Sequence, residues 1–188
     1  MHSKVSAFEP GDVLLVVDVL NAFDHDDAGP LLASFHERGP RMASLLTTAR
    51  RAGVPVIYVN DDGDRWDSDA PALAREAANG PGGEIVQQLL PRPGDHVLLK
   101  HRYSAFDHTP LDLLLEANSA ERVLVIGAAT EGCVVQTALD AREHGLKATI
   151  VADACATTDP DLEQTALRYA EAVGGVRLRE LASPSTDE

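Results

Sequence analysis

Cysteine and tryptophan are scarce in this sequence. Its 188 residues include one tryptophan and two cysteines, Cys133 and Cys155. Two cysteines are too few to staple a disulfide scaffold, and their spacing matches no C-x-x-C zinc or redox motif. Each thiol therefore has to be judged by its own surroundings.

Long apolar runs are also absent. The aliphatic run of residues 13–17 is far below the roughly 18 residues that a membrane-spanning helix needs. The segment 1–10 contains no apolar stretch of signal-peptide length. We expect a soluble, cytoplasmic protein with no membrane partner.

Positive charge is in deficit. The chain has 16 Lys and Arg residues against 30 Asp and Glu residues, which gives a formal net charge of −14. A field of that sign repels phosphate backbones and anionic lipids. This argues against nucleic acid as the main partner and leaves a small molecule as the expected one.

The chain has the size of one ordinary domain. With 44% hydrophobic residues it can bury a single sizeable core, and it contains no internal repeat and no low-complexity tract. We predict a single domain over residues 1–188.

Short aliphatic runs alternate with segments of helical length. The runs lie at 13–17, 56–59, 97–99, 123–126, 148–151 and, more weakly, 176–178. Runs that are apolar on both faces suit parallel strands covered by helices. Gly53 ends one predicted helix, over residues 40–52. The pattern predicts an α/β fold, a three-layer α/β/α sandwich with a six-stranded, mostly parallel Rossmann-like sheet.

Three chemically complementary residues follow three of these runs. Asp18 follows the first run, Lys100 the third and Cys133 the fourth. Ligands bind beyond the carboxyl ends of strands in such sheets, so we expect the three side chains to meet there. A carboxylate can take the thiol proton, an ammonium can stabilise the thiolate, and the thiolate can attack a carbonyl carbon. The set predicts a nucleophilic triad.

The segment before Cys133 supports this interpretation. Glycine and alanine in residues 127–132 let backbone approach a substrate closely, and Cys133 is predicted to begin a helix. Free amides at a helix start form an oxyanion site and lower a thiol pKa. Glu131 would oppose that effect if it pointed inward, so we expect it to face solvent.

Each residue taken alone also has a plain structural interpretation. An Asp at a strand end is often a loop or capping residue, and a single Cys is often a small buried hydrophobe. We interpret Cys155 in this second way, as a packing residue, because it lacks a basic neighbour and a preceding glycine-containing turn.

The sequence also resembles the isochorismatase-like cysteine hydrolase superfamily, which includes nicotinamidases and N-carbamoylsarcosine amidohydrolase. Residues 17–23, Val-Asp-Val-Leu-Asn-Ala-Phe, are similar to the family's D-x-Q-N-D-F motif. Further matches lie at residues 58–61, 100–106 and 127–134. The ordered set covers nearly the whole chain.

The resemblance implies a role for each residue of the triad. Asp18 would be the proton acceptor, Lys100 the electrostatic support and Cys133 the nucleophile of an amidohydrolase. It also implies a cis peptide bond, which falls at Ala128–Ala129 by position, and an oxyanion hole formed by the Ala129 and Cys133 amides. Relatives are commonly dimers or tetramers, so the resemblance implies a homodimer or homotetramer.

Two departures from the family pattern affect the expected chemistry. Leu20 and Ala22 replace the glutamine and the second acid of the first motif. Nicotinamidases of the family carry metal-binding histidines after the second strand, whereas residues 60–66 here contain none. The acidic segment 24–27, and His101 with the pair at 107–108, are interpreted as solvated loops. We therefore expect no metal and no cofactor.

Aromatic and polar residues beyond the same strand ends are candidates to wall a substrate pocket. The candidate substrate-binding residues are Asn21, Phe23, Trp66, Tyr103, Phe106 and Thr130. A surface or interface role remains open for the aromatic members of this set.

Three functions stay open at this point. The first is hydrolysis of the C–N bond of a small amide or ureide through a thioester on Cys133. The second is metal-free vinyl-ether hydrolysis of the isochorismatase type, in which Asp18 alone would act as the acid. The third is a non-catalytic small-molecule binder or thiol sensor on the same fold.

Overall fold

A computed structural model describes residues 3–5, 8–63, 65 and 69–181 of the chain. Strands and helices alternate along most of this length. The strands are β1 (Ser3–Val5), β2 (Asp12–Val17), β3 (Val56–Asp61), β4 (His96–Lys100), β5 (Arg122–Gly127), β6 (Lys147–Cys155) and β7 (Arg177–Leu181). The α-helices are α1 (Ala28–Arg51), α2 (Ala70–Asn79), α3 (Gly83–Leu89), α4 (Leu111–Ala117), α5 (Val135–Glu143) and α6 (Pro160–Ala172). A π-helical turn, Thr130–Val134, precedes α5.

The strands form one sheet in the order β1-β7-β6-β5-β2-β3-β4, and each neighbouring pair is parallel. The predicted α/β sandwich is confirmed, and the six predicted runs correspond to β2 through β7. The prediction of six strands was one too few, because β1 adds a seventh at the edge beside β7. A three-residue strand is too short to produce a hydrophobic period in the sequence.

The two central strands are completely enclosed. Every residue of β2 and β5 is buried, and the two strands pair in register from Asp12 with Arg122 to Val17 with Gly127. Helix α1 covers one face with apolar side chains at helical spacing, among them Phe35, Met42 and Leu46. The aliphatic runs are continuous for this reason: helices cover both faces of the sheet.

The strand order reverses between β2 and β5. From β2 the chain moves outward to β3 and β4, then returns to the other side of β2 as β5 and continues to β6 and β7. A crevice forms at the carboxyl ends of strands where a sheet reverses its order. The loops that leave β2, β3 and β5 therefore converge at one place. Within the described residues, no helix is long and apolar enough to cross a membrane.

Candidate active site

Asp18 lies in the crevice, immediately after β2. Its backbone has a positive φ of 50°, which turns the chain out of the sheet. Its amide donates to the Val59 carbonyl at 3.1 Å, and its Oδ1 accepts the Asp61 amide at 2.6 Å. The neighbouring strand β3 therefore fixes the carboxylate, whose side chain is 13% exposed.

Lys100 ends β4 and extends its side chain beneath the crevice. The side chain is 0% exposed, and Nζ lies 2.8 Å from Asp18 Oδ2. Nζ also donates to the Arg102 carbonyl at 2.9 Å and to Cys133 Sγ at 3.4 Å. The structure thus brings together the acid, the amine and the sulfur that the sequence placed after three different strands.

The turn that carries Cys133 has an unusual backbone. The Ala128–Ala129 peptide bond is cis, as the family resemblance implied. Gly127 has φ +125°, and a Cβ there would lie 1.9 Å from the Val17 carbonyl oxygen, so only glycine fits beside β2. Cys133 lies within the π-helical turn, and α5 begins two residues later at Val135. Gly132 interrupts this turn with a non-helical φ of −117° and ψ of −106°, so the chain that continues into α5 resumes after it, at the position where Cys133 was predicted to begin the helix.

Burial dominates the ionisation of the three groups. Burial raises the pKa of Asp18, which Lys100 only partly offsets. Burial disfavours the charged form of Lys100, but the Asp18 carboxylate and Cys133 outweigh it and the pKa of the amine is raised. Burial and the Asp18 carboxylate together raise the pKa of the Cys133 thiol to about 12, against the opposing effect of Lys100. The predicted lowering of this thiol pKa is therefore wrong.

Glu131 does not face solvent as predicted. Its Oε1 accepts the Thr158 amide at 2.8 Å and its Oε2 accepts the Thr157 hydroxyl at 2.7 Å. Although burial alone would raise the pKa of Glu131, these hydrogen bonds lower it. The Glu131 carboxylate thus connects the turn that carries Cys133 to the loop after β6, and its negative charge is stabilised by the hydrogen bonds from that loop.

A cleft of about 720 Å³ opens above the triad. It is lined by residues from the end of β3, from the loops after β2, β3, β4, β5 and β6, and from helices α1 and α2. The lining residues are Asp18, Leu20, Asn21, Ala22, Asp24, His25, Asp27, Leu31, Asn60, Asp61, Asp62, Gly63, Arg65, Leu73, Glu76, His101, Arg102, Tyr103, Ala128, Ala129, Cys133 and Thr158. The cleft is large enough for a small organic molecule.

Two of the predicted substrate contacts lie in this cleft. Asn21 lines it, and its Oδ1 accepts the Phe23 amide at 2.7 Å, which fixes the loop after β2. Tyr103 lines it from the loop after β4 with an exposed side chain. Trp66, a third candidate, lies outside the described residues.

Three other predicted substrate contacts do not line the cleft, and the prediction was wrong for them. Phe23 turns into the core, where its ring meets Phe35 edge-on at 5.2 Å between centroids. Phe106 stacks on His144 at 4.5 Å in a neighbouring depression. Thr130 is fully buried and donates its hydroxyl to the Ala156 carbonyl at 3.0 Å. In each case packing or backbone hydrogen bonding takes the side chain away from the strand edge.

Ala129, which the resemblance implies as one half of an oxyanion hole, lies in the turn before Cys133. Ala129 and Cys133 both line the cleft. Within the described part of the chain, the Ala129 N–H donates no backbone hydrogen bond, while its carbonyl accepts from Gly132 and Val134. The turn is therefore closed through the Ala129 carbonyl.

Sequence reasoning missed two residues that hold the site together. Asn60 is buried in β3, where its side chain accepts the Leu20 amide at 2.9 Å and donates to the Leu20 carbonyl at 3.2 Å. Asp61 is the last residue of β3, and its amide holds Asp18. The rule that selected Asp18 points to Asn60, because Asn60 directly follows the aliphatic run 56–59, and Asp61 is the next residue.

Two acidic residues, Asp61 and Asp62, lie at the end of β3 and directly after it. Among the described residues, no three His, Cys, Asp or Glu side chains are placed to hold one ion. Asp61 accepts the Gly63 amide at 2.7 Å, and the buried Asp62 lies 2.9 Å from His101 Nδ1. Both carboxylates are therefore engaged by neighbouring groups of the protein.

Cys155, the other thiol, is a core residue. It is fully buried at the end of β6, and its Sγ lies 3.3 Å from the Val151 carbonyl oxygen. Burial raises its pKa far above the ordinary value. This placement agrees with the packing role inferred from the sequence.

Comparison with protein families matches residues 12–179 to the isochorismatase domain. Three similar proteins illustrate the range of relatives. An uncharacterized isochorismatase family protein, YaaI of Bacillus subtilis, is 31% identical over 85% of this chain and 88% of its own. A ureidoacrylate amidohydrolase of Methylorubrum extorquens is 31% identical over 87% and 77%. A streptothricin hydrolase of Streptomyces noursei is 36% identical over 81% of this chain but only 53% of its own.

Solved structures are also similar to this chain. The N-carbamoylsarcosine amidase of Thermoplasma acidophilum superposes with a TM-score of 0.67 at 31% identity, covering 93% of this chain and 98% of that one. An isochorismatase family protein of Desulfovibrio vulgaris superposes with a TM-score of 0.74 at 27% identity, covering 92% and 95%. The similarity therefore extends over the whole sheet and its helices.

Proposed function

The chain belongs to the isochorismatase family and is a hydrolase of C–N bonds, and on that premise we propose that it cleaves a small amide or ureide through a thioester on Cys133. One observation carries the proposal: Lys100 Nζ lies 2.8 Å from Asp18 and 3.4 Å from Cys133 Sγ at the floor of an open cleft. An acid, a buried cation and a thiol at these distances form a nucleophile with its own base.

The first half of the reaction transfers the acyl group to sulfur. Because the Cys133 pKa is about 12, the resting group is the thiol, and the adjacent Asp18 carboxylate has to take its proton as attack begins. The S–C bond forms, and the carbonyl π electrons move to oxygen. The Ala129 and Cys133 amides stabilise that oxyanion.

Collapse of the intermediate releases the amine. The C–N bond breaks as Asp18 returns its proton to the departing nitrogen, which leaves a thioester on Cys133. Asp18, again a carboxylate, then removes a proton from water, whose hydroxyl attacks the thioester carbon. The carboxylic acid leaves and the sulfur recovers its proton from Asp18.

Lys100 acts through charge throughout this cycle. Its ammonium is fully enclosed and touches both Asp18 and Cys133. A fixed cation that is buried away from water stabilises a negative charge beside it, whether that charge is on the Asp18 carboxylate or on the Cys133 sulfur. The negative charge can therefore pass from carboxylate to sulfur and back beside the same counter-ion.

The names of the relatives suggest where to search for the substrate. Ureidoacrylate, streptothricin and N-carbamoylsarcosine are the substrates that three of these names give. Each name describes the relative and not this chain, so they define a first panel of amides and ureides.

Intact-mass analysis of the purified protein tests the proposal. We expect incubation with that panel to produce an acyl adduct on wild-type protein and to release ammonia or an amine. Cys133→Ala should lose the adduct and reduce kcat/KM by at least about a thousandfold, because the nucleophile is gone. Cys155→Ser is the matched control and should keep the adduct. Full activity of folded Cys133→Ala on the same substrate would overturn the covalent route.

A further inference from the structure

The charged groups that line the cleft do not cancel. Some of them are held in close pairs within the protein. These pairs are Asp18 with Lys100 beneath the cleft, Arg65 with Glu76, and Asp62 with His101, at 2.8, 2.8 and 2.9 Å. The charge offered to a substrate comes from the lining residues outside these pairs.

Three carboxylates remain at the cleft. Asp24 and Asp27 are exposed in the loop after β2, and within the described part of the chain neither makes an ion pair or a side-chain hydrogen bond. Asp61 ends β3 with its side chain 48% exposed, and its Oδ2 lies 4.0 Å from Lys100 Nζ. Asp24, Asp27 and Asp61 all line the cleft that opens above the triad.

Positive charge at the cleft is weaker and less accessible. Lys100 is 0% exposed and already contacts Asp18, Cys133 and the Arg102 carbonyl, so a substrate carboxylate cannot reach it. The exposed side chain of Arg102 lines the cleft near Tyr103. Among the described residues that line the cleft and lie outside the three pairs, one guanidinium, that of Arg102, is therefore present with three carboxylates.

The fold and the whole chain reinforce this imbalance. Strands β2 and β3 are neighbours, so the loop that carries Asp24 and Asp27 leaves the sheet beside the strand that ends at Asp61. The chain as a whole has a formal net charge of −14. A cleft whose walls carry one sign of charge concentrates that field and attracts the opposite charge.

We propose that this cleft selects amides that carry an ammonium or guanidinium group away from the scissile carbonyl and rejects amides that carry a carboxylate. Asp24, Asp27 and Asp61 are its specificity-determining residues. The identity of the bond that is cleaved rests on the proposed function, whereas the preference for charge concerns binding alone.

Three amides that share a five-methylene chain test the preference: 6-aminohexanamide (cationic), heptanamide (neutral) and the monoamide of heptanedioic acid (anionic). Calorimetry on Cys133→Ala measures their affinities without turnover. We expect the cationic amide to bind about tenfold or more tightly than the anionic one at low salt, and the difference to shrink as salt screens the cleft. Equal affinities, a reversed order or no binding of the cationic amide would overturn the proposal.

A matched pair of variants assigns the preference to the cleft. Asp24→Asn combined with Asp27→Asn should reduce the ratio of cationic to anionic affinity about fivefold, because two carboxylates leave the wall. Glu116→Gln combined with Glu171→Gln removes the same charge from exposed positions on α4 and α6 and should leave the ratio unchanged. If both pairs of substitutions reduced the affinity ratio equally, the preference would come from the net charge of the whole chain, and its assignment to Asp24 and Asp27 would be overturned.

Turnover by the wild type separates this proposal from the proposed function. In one outcome, the wild type hydrolyses the neutral amide, this hydrolysis is lost without Cys133, and binding shows no preference for charge. That result would overturn the proposed selectivity and would support the proposed hydrolytic function. A clear preference for the cationic amide in binding, with no Cys133-dependent hydrolysis of any amide, would support the selectivity and contradict the hydrolytic route.

Discussion

At the scale of single residues, Cys133 differs from thiols that are activated in advance. The sequence suggested a lowered pKa from Lys100 and from a helix start, yet burial and Asp18 raise it to about 12. The cation is present, but the carboxylate beside it cancels its field at sulfur. A resting thiol is protected from stray electrophiles, and it becomes a nucleophile only when Asp18 takes its proton.

Replacing Asp18 should therefore make the thiol more acidic and not less. Asp18→Asn keeps the shape and removes the negative charge that raises the Cys133 pKa, so we expect iodoacetamide to label Cys133 faster at a fixed pH near neutrality. Hydrolytic turnover should be lost in the same variant, because the base is gone. Labelling rates measured across a pH series test both the direction and the size of the shift.

Lys100 is best examined in that variant background, because the carboxylate 2.8 Å from its Nζ is already replaced there. The double variant Asp18→Asn/Lys100→Met should label more slowly than Asp18→Asn, since the ammonium lowers the thiol pKa. Lys147→Met, at an exposed position on β6, is the control and should change nothing. Slower labelling of Asp18→Asn than of the wild type would contradict the arrangement of charges described here.

At the scale of elements, the turn between β5 and α5 decides whether the site forms. Gly127 has a positive φ of 125°, and a Cβ there would collide with the Val17 carbonyl at 1.9 Å. Since β2 is a central strand, it has no room to withdraw. The turn thus depends on a missing side chain at one position.

Gly127→Ala should destabilise the protein severely, by about 3 kcal/mol or more, because backbone strain and a backbone clash add. Gly145→Ala is the matched control: Gly145 has φ +81°, but no atom lies within 4 Å of a Cβ there, so the cost should be about 1 kcal/mol. Urea denaturation of both variants measures the two values. Similar losses at the two positions would show that strain alone accounts for the effect.

The elements differ in how far the sequence could predict them. The aliphatic runs gave β2 through β7, because burial on both faces leaves a continuous signal. Helix α1 was predicted to begin at residue 40, yet it begins at Ala28 and continues through Pro40. Proline is a strong stop signal locally, and the packing of Leu31 and Phe35 on the sheet overrides it.

The candidate site divides in the same way. Asp18 and Lys100 each end an aliphatic run, so topology alone brings them to one edge, and Cys133 reaches it through the turn after the fourth run. Phe23 and Thr130 also follow runs, but they turn into the core. Which way such a side chain turns depends on neighbours distant in sequence, such as Phe35 and the Ala156 carbonyl, and no local pattern records them.

At the scale of the whole molecule, a buried ion pair and the candidate active site lie at opposite ends of the same central strands. Arg122 begins β5 and makes a bidentate pair with Asp12 at the start of β2, at 2.7 and 2.8 Å. Both side chains are nearly fully buried, and Glu9 adds a third contact at 2.9 Å. Asp18 and Cys133 lie past the other ends of these same strands.

Arg122→Leu should therefore lower the free energy of unfolding by about 3 kcal/mol, because Asp12 is left buried without its partner. Combining it with Asp12→Leu should recover much of that loss, since no unpaired charge remains. Chemical denaturation measures both. The folded variants should keep the wild-type reactivity of Cys133 toward iodoacetamide, and a changed reactivity would show that the two ends are coupled.

The enclosure of the Lys100 amine also limits which covalent chemistry the protein can perform. An amine forms an imine with an aldehyde or ketone only when its nitrogen is unprotonated and within reach. Lys100 is shut off from solvent, and its Asp18 partner keeps it protonated. A carbonyl compound that enters the cleft therefore meets sulfur and not nitrogen, and the lysine contributes its charge without opening a competing route to a Schiff base.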